Sequence, residues 1–242
     1  MKEARDRYSS LVGGGRVATH ARFECCDASR ERFPIDTAHS IDIVSCQFSL
    51  QFFFADATSI THLLDEIDRC IAPNGIFVAT FPDGDRIASE MCRTAEAPSI
   101  VIGHFLFRRF QKTMSMMSSE SPFGIPYSFT LGNAPPCLEY IVFAKFLAHL
   151  LEQRNYEPCF PEHFSMNAQR FYTDHTVVQE TTKALLRGKW SSSQDWESLS
   201  AFRVLLARKK PEPEAADAAS SQVFVTKSKK RMKTSKSTET QK

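Results

Sequence analysis

The sequence predicts an α/β fold. Three observations carry that expectation. Ile41, Ile43 and Val44 form a short apolar run of the kind found in parallel strands. Ile60, Leu63, Leu64, Ile67 and Ile71 then recur at helical spacing, which places them on one face. Ile76 to Phe81 is a second apolar strand, closed by Pro82. Strand, helix and strand in that order make a βαβ unit. In such units ligands sit at the carboxyl ends of the strands. Those ends are Gln47 to Phe54 and Pro82 to Asp85, so the chemistry is expected there.

The elements around this unit follow in order. Lys2 to Leu11 reads as a helix that Gly13-Gly14-Gly15 interrupts. A phosphate loop would follow a strand and open a helix. This triple glycine follows a helix, and no helix opens after it. Ala18 to Cys26 alternates loosely and is expected to be a strand ending at Asp27-Ala28-Ser29. Asp27 there is either a ligand contact at a strand end, or an Asx-turn or N-cap for a short helix over Ser29 to Phe33. Asp56 or Thr58 can cap the Ile60 helix, and Asn74-Gly75 supplies a left-handed stop.

Asp83-Gly84-Asp85 reads as a turn and Arg86 to Thr94 as a short helix. Ile100 to Lys112 and Pro122 to Leu131, separated by a Ser/Met loop, suggest a β-hairpin projecting from the sheet. Arg108, Arg109 and Lys112 interleave with Phe105, Phe107 and Phe110. That pattern is either a solvated basic face over an aromatic core or a set of phosphate contacts beside stacking rings. Leu138 to Arg154 is expected to be one helix, with Glu139 in its first turn, where the helix dipole favours a carboxylate. Tyr156 to Phe160 reads as a strand, residues 161–188 as irregular and Trp190 to Trp196 as a loop. Ala201 to Ala207 is the closing strand.

Composition separates body from tail. From Lys209 onward there are nine Lys/Arg and four Asp/Glu, against 21 and 24 before it. The body is therefore slightly acidic and offers no broad electrostatic surface to nucleic acid. Residues 1–208 are expected to form one domain and 209–242 a disordered basic tail. Lys229-Lys230-Arg231-Met232-Lys233 matches a nuclear-import type of patch. The seven cysteines form no CxxC pair, which points to a reducing compartment. Cys25-Cys26 has no second pair to complete a metal site and reads as strand cysteines. Cys46 and Cys70 fall on core faces. His62 and His149 fall on helices, as surface or core polar groups. The charged start is no signal peptide, and no run of about 18 apolar residues is present.

Asp42-Ile-Val-Ser-Cys-Gln-Phe48, the aromatic loop after it, Pro73-Asn-Gly75 and Thr80-Phe-Pro-Asp83 together resemble the core of eukaryotic mRNA cap guanine-N7 methyltransferases. The likeness continues through Phe110-Gln-Lys112, Pro122-Phe-Gly124, Tyr127-Ser-Phe-Thr-Leu131, Leu138-Glu139 and Trp196 to Phe202. The resemblance implies a Rossmann-like class I methyltransferase sheet with helices on both faces and an inserted hairpin. It implies an enzyme that moves a methyl group from S-adenosylmethionine to N7 of the guanine cap.

The resemblance also distributes roles. Asp27 matches an acidic contact to the donor's adenine, with Ala28 beside it. Gln47 and Phe52 fall at the donor site. Gln51, Phe52, Phe54, Pro82, Glu139 and Phe202 match the wall and floor of the cap guanine pocket. The resemblance implies that Glu139 accepts from the guanine N1–H and exocyclic amine. No residue is implied as acid, base or metal ligand, because N7 carries no proton to remove. The family usually has His-Tyr where this chain has Gln51-Phe52, and Tyr where it has Phe202. A lost polar contact in such a pocket costs on the order of 1–3 kcal/mol.

The family's first strand, its glycine-rich loop and the acid ending its second strand fall before Met1 in this comparison. The chain thus reads as an N-terminally truncated or degenerate copy, with half of the donor site outside it. The partners implied are the capped 5′ end of mRNA and other capping or transcription components, with no membrane, for a nuclear monomer. Two alternatives stand beside this reading: a non-catalytic cap-, RNA- or partner-binding pseudoenzyme, and a methyltransferase for another substrate on the same scaffold.

Overall fold

A computed structural model describes residues 2–15, 20–94, 96–110, 113–117, 121–160 and 193–211. Its elements run α1 (Lys2–Gly13), β1 (Ile41–Gln47), α2 (Leu50–Phe53), α3 (Ala57–Cys70), β2 (Ile71–Pro82), α4 (Gly84–Arg93), β3 (Ser99–Ile102) and β4 (Phe105–Arg109). They continue with α5 (Thr113–Met117), β5 (Pro126–Leu131), β6 (Cys137–Tyr140), α6 (Ala144–Glu152), β7 (Tyr156–Cys159), α7 (Ser193–Leu199) and β8 (Phe202–Lys209).

The βαβ unit is present. β1 pairs parallel with β2, and β8 adds antiparallel to β2, giving the order β1-β2-β8-β7. The fold is α/β, as its periodicities predict. Helix α3 starts where Asp56 accepts from the Ser59 amide at 2.8 Å. Its apolar stripe of Ile60, Leu63, Leu64 and Ile67 is buried against Phe77, Ala79 and Phe81 of β2 and Leu205 of β8. At about 25 cal/mol per Å² of apolar area, a stripe of this kind is the main source of the helix's stability.

Several local expectations are corrected. Asn74 does adopt a left-handed φ of 65°, but it does not end the helix. The helix passes straight into β2 at Ile71, and Asn74 lies in a bulge that sets Ile41 opposite Ile71 but Ile43 opposite Ile76. A Cβ on Gly75 in that bulge would come within 2.7 Å of Ile71 Cγ1. Ile43 is not buried. It is 62% exposed, because among the described residues β1 pairs on one side alone.

Residues 20–26 form no strand, since no neighbouring strand pairs with them, and no helix follows over residues 29–33. Gly84 and Asp85 belong to α4, whose N-terminus is capped by Asp83 through the Arg86 amide at 3.2 Å. The expected hairpin is instead the centre of a second sheet, order β3-β4-β5-β6, antiparallel throughout. The expected long helix from Leu138 is two elements: β6, then α6 after a break at Ile141–Phe143. Part of the expected 190–196 loop is α7, which docks on the β3–β4 turn through Ser198 and the His104 amide, 2.7 Å apart. Gly103 in that turn has φ 58°, and a Cβ there would meet Ser198 Oγ at 2.2 Å.

Each sheet has its own core. Leu50, Phe54, Ile60, Phe77, Phe81, Leu147 and Leu205 fill the first. Ile87, Met91, Phe107, Tyr127, Ile141 and Phe202 fill the second. Among the described residues no helix is long and apolar enough to cross a membrane. The expected tail after 211, the irregular 161–188 stretch, and Gln111 and Lys112 lie outside the described residues.

Candidate functional site

The carboxyl ends of β1 and β2 meet the first strand residue of β8. Pro82 ends β2 opposite Phe202, which begins β8. β1 ends at Gln47, whose exposed amide donates to Ser45 Oγ at 3.1 Å. The next residue, Phe48, takes φ 51°, a conformation that costs a non-glycine residue energy and persists only where its surroundings impose it. Here its amide donates to the Thr80 carbonyl at 2.8 Å, and its carbonyl accepts from Gln51 Nε2 at 3.1 Å. The turn throws the Phe48 ring outward, half exposed, with its edge against Phe202 at 5.2 Å between centroids. Phe202 also meets Phe105 of the second sheet at 5.1 Å.

Beside these rings lies a buried polar cluster. Gln51 stands in α2, which replaces the expected loop, and is 2% exposed. Its Nε2 donates to Glu139 Oε1 at 3.2 Å. Glu139 stands on β6, 4% exposed, and its Oε2 accepts from the Tyr127 hydroxyl at 2.6 Å. Tyr127 lies directly opposite Glu139 in the β5–β6 register. Glu139 therefore owes its position to a strand pair and not to a helix dipole. Burial raises its carboxyl above the ordinary glutamate value, and the bonds from Tyr127 and Gln51 pull the other way. Gln51 Oε1 is buried without a hydrogen-bond partner, an acceptor held out of water.

The structure thus brings Gln51 and Glu139 together, and Pro82 with Phe202. Phe52 is exposed on α2. Phe54 is fully buried against Phe123 and Leu50 in the first core, so it is a packing residue and does not line an open pocket. Asp27 makes an Asx turn: Oδ1 accepts from the amide and hydroxyl of Ser29, and Oδ2 faces Arg30 Nε at 2.7 Å. Ala28 packs against the first core. Sequence reasoning missed Phe48 and Tyr127. Tyr127 fell within the strand expected over Pro122 to Leu131, but placing Glu139 on a helix concealed the cross-strand pair.

Residues 1–231 match the mRNA (guanine-N(7))-methyltransferase domain, and the chain belongs to that family. The mRNA cap guanine-N(7) methyltransferase of Caenorhabditis elegans is 27% identical over 170 residues, 68% of this chain and 44% of its own length. The mRNA cap guanine-N(7) methyltransferase 1 of Arabidopsis thaliana is 28% identical over 188 residues, 72% of this chain and 49% of its own. The chain spans about half the length of these relatives. Among solved structures, an S-adenosylmethionine-dependent methyltransferase from Clostridium acetobutylicum covers 87% of the chain at 8% identity, with a TM-score of 0.44.

Proposed function

We propose that this domain binds the guanine of a capped RNA 5′ end for methylation at N7, with S-adenosylmethionine as methyl donor. The observation that carries the reading is the buried Glu139 carboxylate, held by Gln51 and Tyr127 beside the Phe48–Phe202 ring pair. A carboxylate accepts from two parallel donors, and the guanine edge presents N1–H and the exocyclic amine side by side. Adenine has an acceptor at N1 and meets repulsion there. The rings supply the apolar wall that an aromatic base needs.

The donor-facing residues suit their group chemically. Asp27 keeps a partly exposed carboxylate whose Oδ2, beside Arg30, retains a lone pair for an adenine amine, and Gln47 presents an exposed carboxamide at the strand end. S-adenosylmethionine supplies a methyl carbon on a sulfonium. Guanine N7 carries no proton to remove, so this chain's share is binding, orientation and exclusion of water. The Lys229–Lys233 cluster supports nuclear residence, where capped transcripts arise.

Two measurements on one series test the reading: calorimetric titration with GpppG, and methyl transfer to GpppG-capped RNA. Glu139→Ala is expected to weaken GpppG binding and transfer by about 10- to 100-fold, the worth of a hydrogen bond to a charged group, and to leave S-adenosylmethionine affinity unchanged. Undiminished GpppG binding, or ApppA bound as tightly as GpppG, overturns the pocket.

A further inference from the structure

Beyond the contacts assigned so far, we infer that Tyr127 is the positioning residue of the base pocket: its hydroxyl anchors the Glu139 carboxylate and keeps it turned toward the donor edge of a guanine. The inference rests on the guanine reading of Glu139.

Four observations support it. Tyr127 and Glu139 are directly opposed across β5 and β6, so the backbone ladder fixes their separation. The bond is short, 2.6 Å, as expected for a hydroxyl donating to a charged oxygen. Tyr127 is fully buried, its ring 5.8 Å from that of Phe107, which leaves the hydroxyl little freedom to turn elsewhere. Finally, Glu139 has no ion-pair partner among the described residues. A carboxylate buried for stability alone would be paired with a cation or replaced by an apolar residue. This one is kept in place by one donor on each oxygen, Gln51 on Oε1 and Tyr127 on Oε2, and each oxygen retains a second lone-pair direction for ligand.

The consequence is a specific pH dependence. Among the described residues, the titratable groups interacting with Glu139 are Tyr127 on β5 and Cys137 on its own strand; α2 contributes only the neutral Gln51. Burial and the adjacent carboxylate hold the Tyr127 phenol well above its ordinary value, so it remains a donor through the neutral range. Glu139 must be ionised to accept from guanine. Binding is therefore present above its pKa and lost as pH falls through it. Removing the Tyr127 hydroxyl removes an interaction that favours the ionised form, which moves that loss to higher pH.

The experiment follows GpppG binding against pH for the unmodified chain, Tyr127→Phe, 3-fluorotyrosine at position 127, and Glu139→Gln. Tyr127→Phe is expected to move the midpoint up by about one pH unit, a loss of affinity of about fivefold at the original midpoint that approaches tenfold below it and recovers at higher pH. The fluorinated phenol, a stronger donor that keeps the fold, is expected to move it down. Midpoints unmoved in both overturn the inference, and the fluorinated protein alone decides if Tyr127→Phe does not fold. If Glu139→Gln binds as well as the unmodified chain, or no form binds, the guanine reading has failed. The ¹³C titration of the Glu139 carboxyl then decides the Tyr127 role. An upward shift in Tyr127→Phe and a downward one with the fluorinated phenol uphold it, and an unshifted carboxyl overturns it.

Discussion

Gln51 Nε2 donates to Glu139 Oε1 at 3.2 Å, joining α2 to β6 across 88 residues of sequence. The same amide holds the carbonyl of Phe48, so one side chain ties the strained turn at the end of β1 to the buried carboxylate. Both of its N–H groups are used, and its Oε1 is not. The bond thus couples the ring that faces solvent to the acid that does not.

Gln51→Glu would set two carboxylates against each other in a dry site. A like charge at this range disfavours ionisation of one of them. The variant is expected to lose about 2–4 kcal/mol at pH 8 and to regain most of it as pH falls and the pair shares a proton. Urea unfolding at pH 8 and pH 5 measures this. Equal losses at both would mean the two oxygens are not in contact. In the unmodified chain the Glu139 pKa is raised in the folded state. Its contribution therefore runs in the same direction: stability falls as pH rises from the ordinary glutamate value through the raised one.

Glu66 behaves oppositely. It pairs with Arg69 at 2.6 Å and accepts the Phe33 amide at 2.8 Å, while Arg69 reaches the carbonyls of Phe33 and Ile35 at 3.1 Å each. The Arg69 hydrogen bond lowers its pKa. A depressed carboxylate stabilises the fold above its unfolded value and loses that stabilisation as pH falls through the folded one. Arg69→Ala is expected to cost about 1–3 kcal/mol near neutrality and to flatten the acid limb of the stability curve. Hydrogen exchange at residues 33–36 should rise in parallel. Protection unchanged there would show that this pair does not anchor the segment.

Gly84 marks where α4 touches the chain entering α6. A Cβ there would meet the Val142 carbonyl oxygen at 2.3 Å and its nitrogen at 2.7 Å, both backbone atoms that cannot turn away. Gly84→Ala is expected to destabilise the fold by about 3 kcal/mol. It would also part Asp85 from the Ala144 amide, now 3.2 Å apart. A melting temperature within 1–2 °C of the parent (about 0.5 kcal/mol or less) would contradict the packing.

The cysteines report on the same core. Burial pushes Cys46 up to about 11 and raises Cys70, whereas Cys25, Cys92 and Cys159 are exposed. A short iodoacetamide pulse at pH 8 is expected to label these three ahead of the fourth exposed cysteine, Cys137, whose thiol burial raises, and to spare Cys46 and Cys70. Peptide mass spectrometry reads the pattern. Cys46 labelled as fast as Cys92 would mean that β1 does not stay closed on the core.

Much of the first sheet was legible in the residues alone. The helix period from Ile60 to Ile67, the Asp56 cap and the apolar runs on either side define a βαβ unit through local rules, because each depends on neighbours within a turn or a strand. Those rules also placed the ends of the two parallel strands near Gln47 and Pro82, where β1 and β2 end. They misled at Leu138 to Tyr140, where helix-compatible residues are held as β6 by pairing with β5, an interaction between distant segments. Tertiary pairing, not local spacing, faces Glu139 with Tyr127 and Gln51, buries Phe54, and turns Phe48 through a positive φ onto Phe202. A sequence specifies which side chains can accept, donate or stack. Only the packing of sheet on helix and strand on strand decides which of them meet out of water, where a single hydrogen bond counts most.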